Sequence, residues 1–406
     1  MIELQRVTLP AIATSVCATP EGNIFIEMRA NWDRDSQMQL ACFDFMGQQK
    51  WQRAFTTLYP HAVKVANESI WLNTGKQIYR LDIDGAVTQV IPVALTESEY
   101  IGDFLVTPQG FYICSRGRRV DTKSPRLLRI ADNGQVQWAT SLLKPTVSFN
   151  GVVETGVHTN WQLQPKKPWR PTSWQPDLWQ PLLATDNRLL ASYVDYSSGI
   201  GISYCLDAAT GEHLWATPPR PSGNKSLAPN QTFLIGSQGY GVFDTWLYNA
   251  NGEILQHWQS HGYIVISQQA EMRVVEMQNI LPSKMSFAIF ELSGEIRKGP
   301  HLPRYRTAYP SIDKSGNVTF WREGELLTVD TQMNLKSLYS SPSDKPHLTM
   351  FSRTLLLESD KLAFTVSQHG GSHELWIFNT PLDVLATSMW PCGGGNLGNN
   401  AVYPQS

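Results

Sequence analysis

The hydrophobic positions of this chain fall in short runs that are rich in β-branched and aromatic residues and are separated by polar turns. Examples are residues 24–26, 69–72, 111–113 and 362–364, each of which follows a turn. Such runs, bounded by Gly, Pro, Asn and Asp, are typical of β-strands. No long helical periodicity accompanies them, so the pattern predicts an all-β protein.

A signature recurs along the chain, in which an apolar strand ends in Asp or Asn, a Gly-type turn follows, and a second strand begins. Its turn positions are residues 47, 85, 134, 211, 252, 294, 334 and 383. The spacings are 38, 49, 77, 41, 42, 40 and 49 residues. A period in the forties with four short strands is typical of a β-propeller blade. We therefore predict that residues 1–406 form a single β-propeller domain of eight four-stranded antiparallel blades, with seven blades as the alternative if the last copy is misassigned.

The turn chemistry supports this interpretation. Gly adopts the positive φ of a tight hairpin turn without steric cost, and the preceding Asp or Asn accepts hydrogen bonds from the turn amides. Asn334 occupies the Gly position of the seventh copy, and Asp82-Ile-Asp84-Gly85, which resembles a calcium-loop fragment, is interpreted as such a turn. Three copies carry a Trp four residues after the Gly, and we expect it to pack on the neighbouring blade: Trp51, Trp138 and Trp215.

The copy Leu-Asp-Ala-Ala-Thr-Gly-Glu-His-Leu-Trp at residues 206–215 resembles the repeat of the quinoprotein (PQQ-like) β-propeller superfamily. The resemblance implies a propeller fold. Dehydrogenases of that family hold their cofactor with calcium, a stacked Trp and two adjacent cysteines. No adjacent cysteine pair occurs in this sequence. The resemblance therefore implies the fold without the dehydrogenase activity, and we predict no cofactor.

One spacing, 77 residues, exceeds the others because of an insertion over residues 144–181. This segment is rich in Pro and holds four of the 14 Trp residues of the chain within 19 positions. Ordered loops of this length are unusual in compact domains. Two interpretations stay open: a strap whose Trp side chains cover exposed blade edges, or a ligand lid or partner-binding arm.

Propeller connectivity places the insertion on the face that carries the irregular loops. Variable loops on a rigid scaffold usually carry function, and exposed Trp and Arg dominate many interfaces. The first hypothesis is a non-catalytic scaffold that binds a protein or peptide through this face. Its candidate binding residues are Trp32, Arg116, Arg118, Arg119, Trp161, Trp169, Arg170, Trp174, Trp179, Tyr196 and Tyr240.

The alternative hypothesis is an enzyme, of lyase, cyclase or hydrolase type, with its site in the axial funnel beneath the Trp-rich insertion. Its acid–base candidates are Asp121, Asp195, Asp244, His369 and His373. No nucleotide-binding or hydrolase motif accompanies them. Gly370 and Gly371 disfavour a helix that would present His369 and His373 to a metal, so no metal site is predicted.

Composition narrows the partners and the compartment. Charged residues make up 17% and the formal net charge is −2, which gives no electrostatic reason to expect nucleic acid or an anionic membrane as partner. No apolar stretch is long enough to span a bilayer, and Glu3 and Arg6 interrupt any signal-peptide core. The five cysteines are scattered and odd in number, as is typical of buried thiols in a reducing compartment. We predict a cytoplasmic protein.

The two ends of the chain suggest how the ring closes. Residues 4–9 resemble residues 51–55, an outer strand, and we expect them to supply the outer strand of the last blade. The glycine-rich tail from Cys392 onward either crosses the axial opening or adds a strand.

Overall fold

The structure is a computed structural model, and it consists of β-strands in the part of the chain that it describes. That part comprises residues 4–30, 37–56, 63–117, 125–142, 174–177, 180–195, 199–239, 242–259, 262–266, 273–280, 284–291, 295–303, 309–322, 324–341, 347–348, 353–358, 360–367 and 371–403.

The strands follow one another along the chain in eight groups, which we name sheets S1 to S8. The chain starts with β1 (Leu4–Leu9). S1 contains β2 (Ile12–Ala18), β3 (Ile24–Arg29), β4 (Gln37–Phe43) and β5 (Gln49–Thr56). S2 contains β6 (Val63–Ala66), β7 (Ser69–Asn73), β8 (Gln77–Leu81) and β9 (Val87–Pro92). S3 contains β10 (Glu99–Thr107), β11 (Gly110–Gly117), β12 (Arg126–Ile130) and β13 (Val136–Ser141).

The next two sheets lie in the middle of the chain. S4 contains β14 (Trp174–Pro176), β15 (Leu182–Ala184), β16 (Arg188–Asp195), β17 (Ile200–Asp207), β18 (His213–Ala216) and β19 (Arg220–Pro221). S5 contains β20 (Lys225–Ala228), β21 (Thr232–Gly239), β22 (Val242–Tyr248) and β23 (Ile254–Trp258).

The last three sheets complete the series. S6 contains β24 (Gly262–Ile266), β25 (Arg273–Ile280), β26 (Lys284–Glu291) and β27 (Ile296–Pro303). S7 contains β28 (Ser311–Ile312), β29 (Val318–Arg322), β30 (Glu325–Val329) and β31 (Leu335–Ser340). S8 contains β32 (His347–Leu348), β33 (Leu355–Leu357), β34 (Lys361–Ser367), β35 (His373–Asn379) and β1.

The chain divides into two compact units. The first unit comprises Met1–Pro92, Tyr263–Gln278 and Pro282–Ala401, and holds S1, S2, S7, S8 and most of S6. The second unit comprises Val93–Gly262, Asn279–Leu281 and Val402–Ser406, and holds S3, S4 and S5. That the whole chain forms one domain stays a prediction.

Burial changes across S1 and S2 as the hydrophobic pattern predicts. In S1 every residue of β3 is buried, whereas most of β5 at the outer edge is exposed. In S2 all of β7 is buried and most of β9 is exposed. Strands that are buried on both faces read as continuous apolar runs, and edge strands carry polar residues.

The repeated turns form as predicted, with one correction. Gly47 has a φ of +71°, and its amide donates to the Asp44 carbonyl over 2.9 Å. The Asp44 carboxylate accepts the amides of Met46 and Gln48 at 2.8 Å each. In the seventh copy the positive φ, +70°, belongs to Met333 and not to Asn334. The prediction for Asn334 was wrong by one position. The backbone amide of Asn334 donates to the Asp330 carboxylate over 2.8 Å, as the amide of Gln48 does to Asp44 after Gly47.

The predicted Trp docking is confirmed in all three copies, each within one unit. The indole nitrogens of Trp51, Trp138 and Trp215 donate to the carbonyls of Ile83, Ala208 and Ala250 in the next sheet, at 2.8, 3.3 and 3.0 Å. Each ring also fills the space beside the turn glycine of that sheet, so closely that an added Cβ would lie 2.6–2.7 Å from the ring: Gly85, Gly211 and Gly252.

The N-terminal strand closes S8, which confirms that prediction. β1 pairs antiparallel with β35 over six residues, from Leu4 opposite Phe378 to Leu9 opposite His373. Leu9 belongs to the same buried cluster as residues of S1 and S8. The first strand of the chain thus lies in the same sheet as the last.

The C-terminal tail runs along the first strands of several sheets of the first unit. The amides of Ala18, Val65, Ile266 and Ile312 donate to the carbonyls of Leu397, Gly398, Trp390 and Pro391, over 2.8–2.9 Å. Arg353 is buried and donates to the carbonyls of Val16, Gly393, Asn396 and Leu397. The tail glycines permit this close approach, since a Cβ at Gly398 would lie 2.0 Å from the Val65 carbonyl oxygen.

The prediction of eight four-stranded blades was wrong. S8 keeps four strand positions, because β32 and β33 both pair with β34. S4 has six strands and is divided at both edges, since β14 and β15 share β16 while β18 and β19 share β17. Seven sheets therefore follow the blade pattern, which is the alternative count. The physical reason is that the insertion returns to S4 as an additional strand, which a count of repeated turns does not register.

Candidate functional site

The end of the insertion is built into S4. Trp174, Gln175 and Pro176 form β14 and pair with Asp195, Val194 and Tyr193 of β16. The next residue, Asp177, donates its amide to the Ser192 carbonyl over 2.9 Å. The last part of the Trp-rich segment is therefore fixed to the sheet by regular backbone pairing.

A buried ion pair also holds the end of the insertion in place. The Asp177 carboxylate lies 2.6 Å from the Lys225 ammonium of β20, and both side chains are 3% exposed. The Ser222 hydroxyl donates to the same carboxylate oxygen, and Lys225 also donates to the Gly223 carbonyl over 2.9 Å. A buried charge is tolerated only when it is paired and hydrogen-bonded, and both of these charges are.

The ion pair forms one wall of a cavity in the second unit. The cavity is also lined by Ser192 and Ser203, whose hydroxyls are 2.7 Å apart, and by Arg220, Trp246 and Tyr248. The cavity has a volume of about 20 Å³, which is room for one or two water-sized groups.

Arg220 lines the cavity together with two aromatic rings. Its guanidinium carbon lies 3.6 Å from the centroid of the Trp246 ring, and it donates to the Tyr248 hydroxyl over 3.3 Å. Trp246 also stacks on His257, with the ring centroids 5.1 Å apart and the planes 10° apart. A guanidinium this close to an indole ring is attracted by the ring quadrupole, which restricts its movement.

A second charged pair of this unit lies at the start of S3. Arg126 binds Glu99 in bidentate fashion, with N–O distances of 2.7 and 2.5 Å. Burial alone would raise the pKa of Glu99, but hydrogen bonds from Arg126 and the Thr96 amide outweigh it and lower that pKa to about 2. Glu99 is therefore a carboxylate at neutral pH and links β10 to β12.

The predicted binding residues fall mainly outside the described residues. Arg116 lies on β11 opposite Tyr100 and is half-buried. The backbone of Trp174 lies in β14. Nine others lie outside the described part of the chain: Trp32, Arg118, Arg119, Trp161, Trp169, Arg170, Trp179, Tyr196 and Tyr240. Their role at a binding face stays a prediction.

Three of the five predicted acid–base residues lie within the described part of the chain. Asp195 is buried at the end of β16, and Asp244 of β22 lies 2.9 Å from His257. His373 belongs to the first unit, where its Nδ1 lies 2.7 Å from the Ser367 hydroxyl and burial lowers its pKa. Asp121 and His369 lie outside the described residues. The cavity wall includes none of the three described candidates.

The cavity residues were not singled out from the sequence. Arg220 and Lys225 lie in a connection of ordinary length, and Trp246 reads as an apolar residue of an inner strand. One sequence feature could have pointed to the cavity: Asp177 is a charged residue that directly follows a Trp-rich run. Its partner Lys225 is 48 residues away, so the pairing appears only in three dimensions.

Comparisons with known proteins identify the fold. No protein-family model and no curated protein sequence matches the chain. The structure of the Dos1 propeller matches with a TM-score of 0.56 and 10% identity, over 92% of this chain and 94% of that chain. Sqt1 from Chaetomium thermophilum matches with a TM-score of 0.55 and 11% identity, over 93% and 100%. The chain therefore has a β-propeller fold.

Among the described residues, no helix is long and apolar enough to cross a membrane.

Proposed function

We propose that this protein is a non-catalytic scaffold that binds a protein or peptide partner through its irregular loop face. The observation that carries the proposal is the anchor of the Trp-rich insertion. β14 and the buried Asp177–Lys225 pair hold its end against S4. A loop with a rigid base presents its side chains at lower entropic cost than a free one.

The neighbouring chemistry is consistent with binding. The cavity accommodates one or two water-sized groups, and its two buried charges neutralise each other. Enzyme sites generally bring several convergent titratable groups together. A surface that presents Trp and Arg instead fits an interface with a few dominant contacts.

We also infer that the chain is a divergent member of the PQQ-like repeat superfamily. The support is the repeated contact of Trp51, Trp138 and Trp215 with the turn glycine of the next sheet. The quoted repeat places Trp and Gly at these positions. A cytoplasmic location remains part of the proposal, and its support is the composition of the chain.

Copurification from the native host tests the proposed function. A tagged wild-type chain is compared with a variant in which Trp161, Trp169 and Trp179 are replaced by Ala. The matched control replaces Ile254 and Leu255, which are 50% and 52% exposed on β23. We expect one stoichiometric protein with the wild type and the control, and its loss with the Trp variant. A partner that the Trp variant retains, or a bound small molecule instead of a protein, would contradict the proposal.

A further inference from the structure

The two cations at the cavity differ in how their charge is compensated. Lys225 is paired with Asp177 at 2.6 Å. Arg220 donates to the neutral hydroxyl of Tyr248 and lies over the uncharged ring of Trp246. Within the part of the chain that the structure describes, Arg220 forms no ion pair. Two cations and one carboxylate leave one uncompensated positive charge at the cavity.

The backbone that carries Arg220 is fixed. Arg220 and Pro221 form β19, which pairs with Gly201 and Ile200 of β17. The Ser222 amide donates to the Gly199 carbonyl over 3.2 Å. Contact with the Trp246 ring and the hydrogen bond to Tyr248 restrict the guanidinium, and its remaining N–H groups can donate to another acceptor.

The size of the cavity limits what this acceptor can be. Space for one or two water-sized groups corresponds to the two oxygens of a carboxylate. A guanidinium presents parallel N–H groups at the spacing of those two oxygens, whereas a phosphate adds further oxygens that need more room. Charge, orientation and volume thus all favour a single carboxylate.

We propose that this cavity binds the side-chain carboxylate of an acidic residue on the partner protein, with the Arg220 guanidinium as its principal ligand. This inference rests on the proposed scaffold function and specifies the chemistry of the partner. The Trp246 ring holds the guanidinium, and the Asp177–Lys225 pair supplies the polar wall.

An NMR titration of the full-length chain tests this site without the partner. Indole ¹⁵N signals are followed while acetate, N-acetyl-glutamate N-methylamide or inorganic phosphate is added at constant ionic strength. The signal of Trp246 is assigned with the variant Trp246→Phe. The test variant is Arg220→Gln, which keeps a planar polar group but removes the charge. The control is Arg53→Gln, since Arg53 is exposed on β5 in the other unit.

We expect a saturable shift of the Trp246 indole with acetate and with the glutamate analogue, and at least tenfold weaker binding in Arg220→Gln than in Arg53→Gln. Unchanged indole signals elsewhere would show that Arg220→Gln is folded. The proposal is overturned by a non-saturable response, by equal affinity in both variants, or by tighter binding of phosphate. Binding of acetate without the glutamate analogue would assign the site to free carboxylates and overturn the docking role. The Trp variants of the insertion test the scaffold function separately. A failure of the carboxylate site can therefore be told apart from a failure of the proposed scaffold function.

Discussion

Trp215 illustrates how one side chain joins two neighbouring sheets. Its ring packs beside Gly252 and stacks on Tyr248 at 5.5 Å, and its indole nitrogen donates to Ala250. We expect Trp215→Ala to destabilise the protein by at least about 2 kcal/mol, because removal of a large packed aromatic leaves a cavity and an unpaired carbonyl. Thermal and urea denaturation measure this loss. Leu214→Ala, at a side chain that is 42% exposed, should change the free energy of unfolding by less than about 0.5 kcal/mol.

Glu99 gives a prediction about pH. Its pKa in the folded protein is lowered from 4.5 to about 2, so its ionised form stabilises the fold above pH 4.5. This contribution is lost as the pH falls from about 4.5 to about 2, because the unfolded chain then binds a proton that the folded chain does not. Glu99→Gln should therefore flatten the acid limb of a plot of urea midpoint against pH. An acid limb of unchanged slope in the variant would contradict the role given to this pair.

Single residues also show where sequence reasoning stops. The turn at Asp44 was predictable because its hydrogen bonds lie within five residues. The assignment at Asn334 failed because Met333, a residue that rarely adopts positive φ, occupies the Gly position. Arg220 and Trp246 meet across two strands that are far apart in sequence, and no local pattern encodes that contact.

At the scale of elements, the closure of S8 by β1 connects the two ends of the chain. All six residues of β1 pair with β35, and Arg6 lies 4.5 Å from the centroid of the Trp376 ring. Deletion of residues 1–10 should lower the melting temperature by several degrees, because S8 loses its outer strand and Leu9 leaves a buried cluster. Differential scanning calorimetry checks this result. Addition of the deleted segment as a synthetic peptide should partly restore the melting temperature, and an unchanged melt on deletion would contradict this closure.

The strands themselves were largely predictable, whereas S4 was not. Alternation of short apolar runs and turns is local and appears directly in the sequence. One edge of S4 is divided because β14 pairs with residues 193–195 of β16 while β15 pairs with residues 189–191, so two short strands lie along one long strand. Propensity carries no information about which strand such a segment joins.

For the molecule as a whole, the fold follows from the sequence more directly than the proposed function does. The repeat period predicted the propeller, because each unit must bury its faces against its neighbours. The proposed binding role follows less directly, since one fold supports many functions and the site decides between them. The proposal rests on the anchored end of the insertion and on Arg220, which forms no ion pair within the described residues.

Site-specific photocrosslinking in the native host tests whether a protein partner binds to the irregular loop face. A photoreactive residue is placed at position 169 in the insertion and, as the control, at position 254 after the short Gly252 turn. We predict a crosslink from position 169 to one protein and none from position 254, because the partner contacts the irregular face. Equal crosslinking from both positions, or crosslinking from position 254 alone, would contradict the assignment of the binding face.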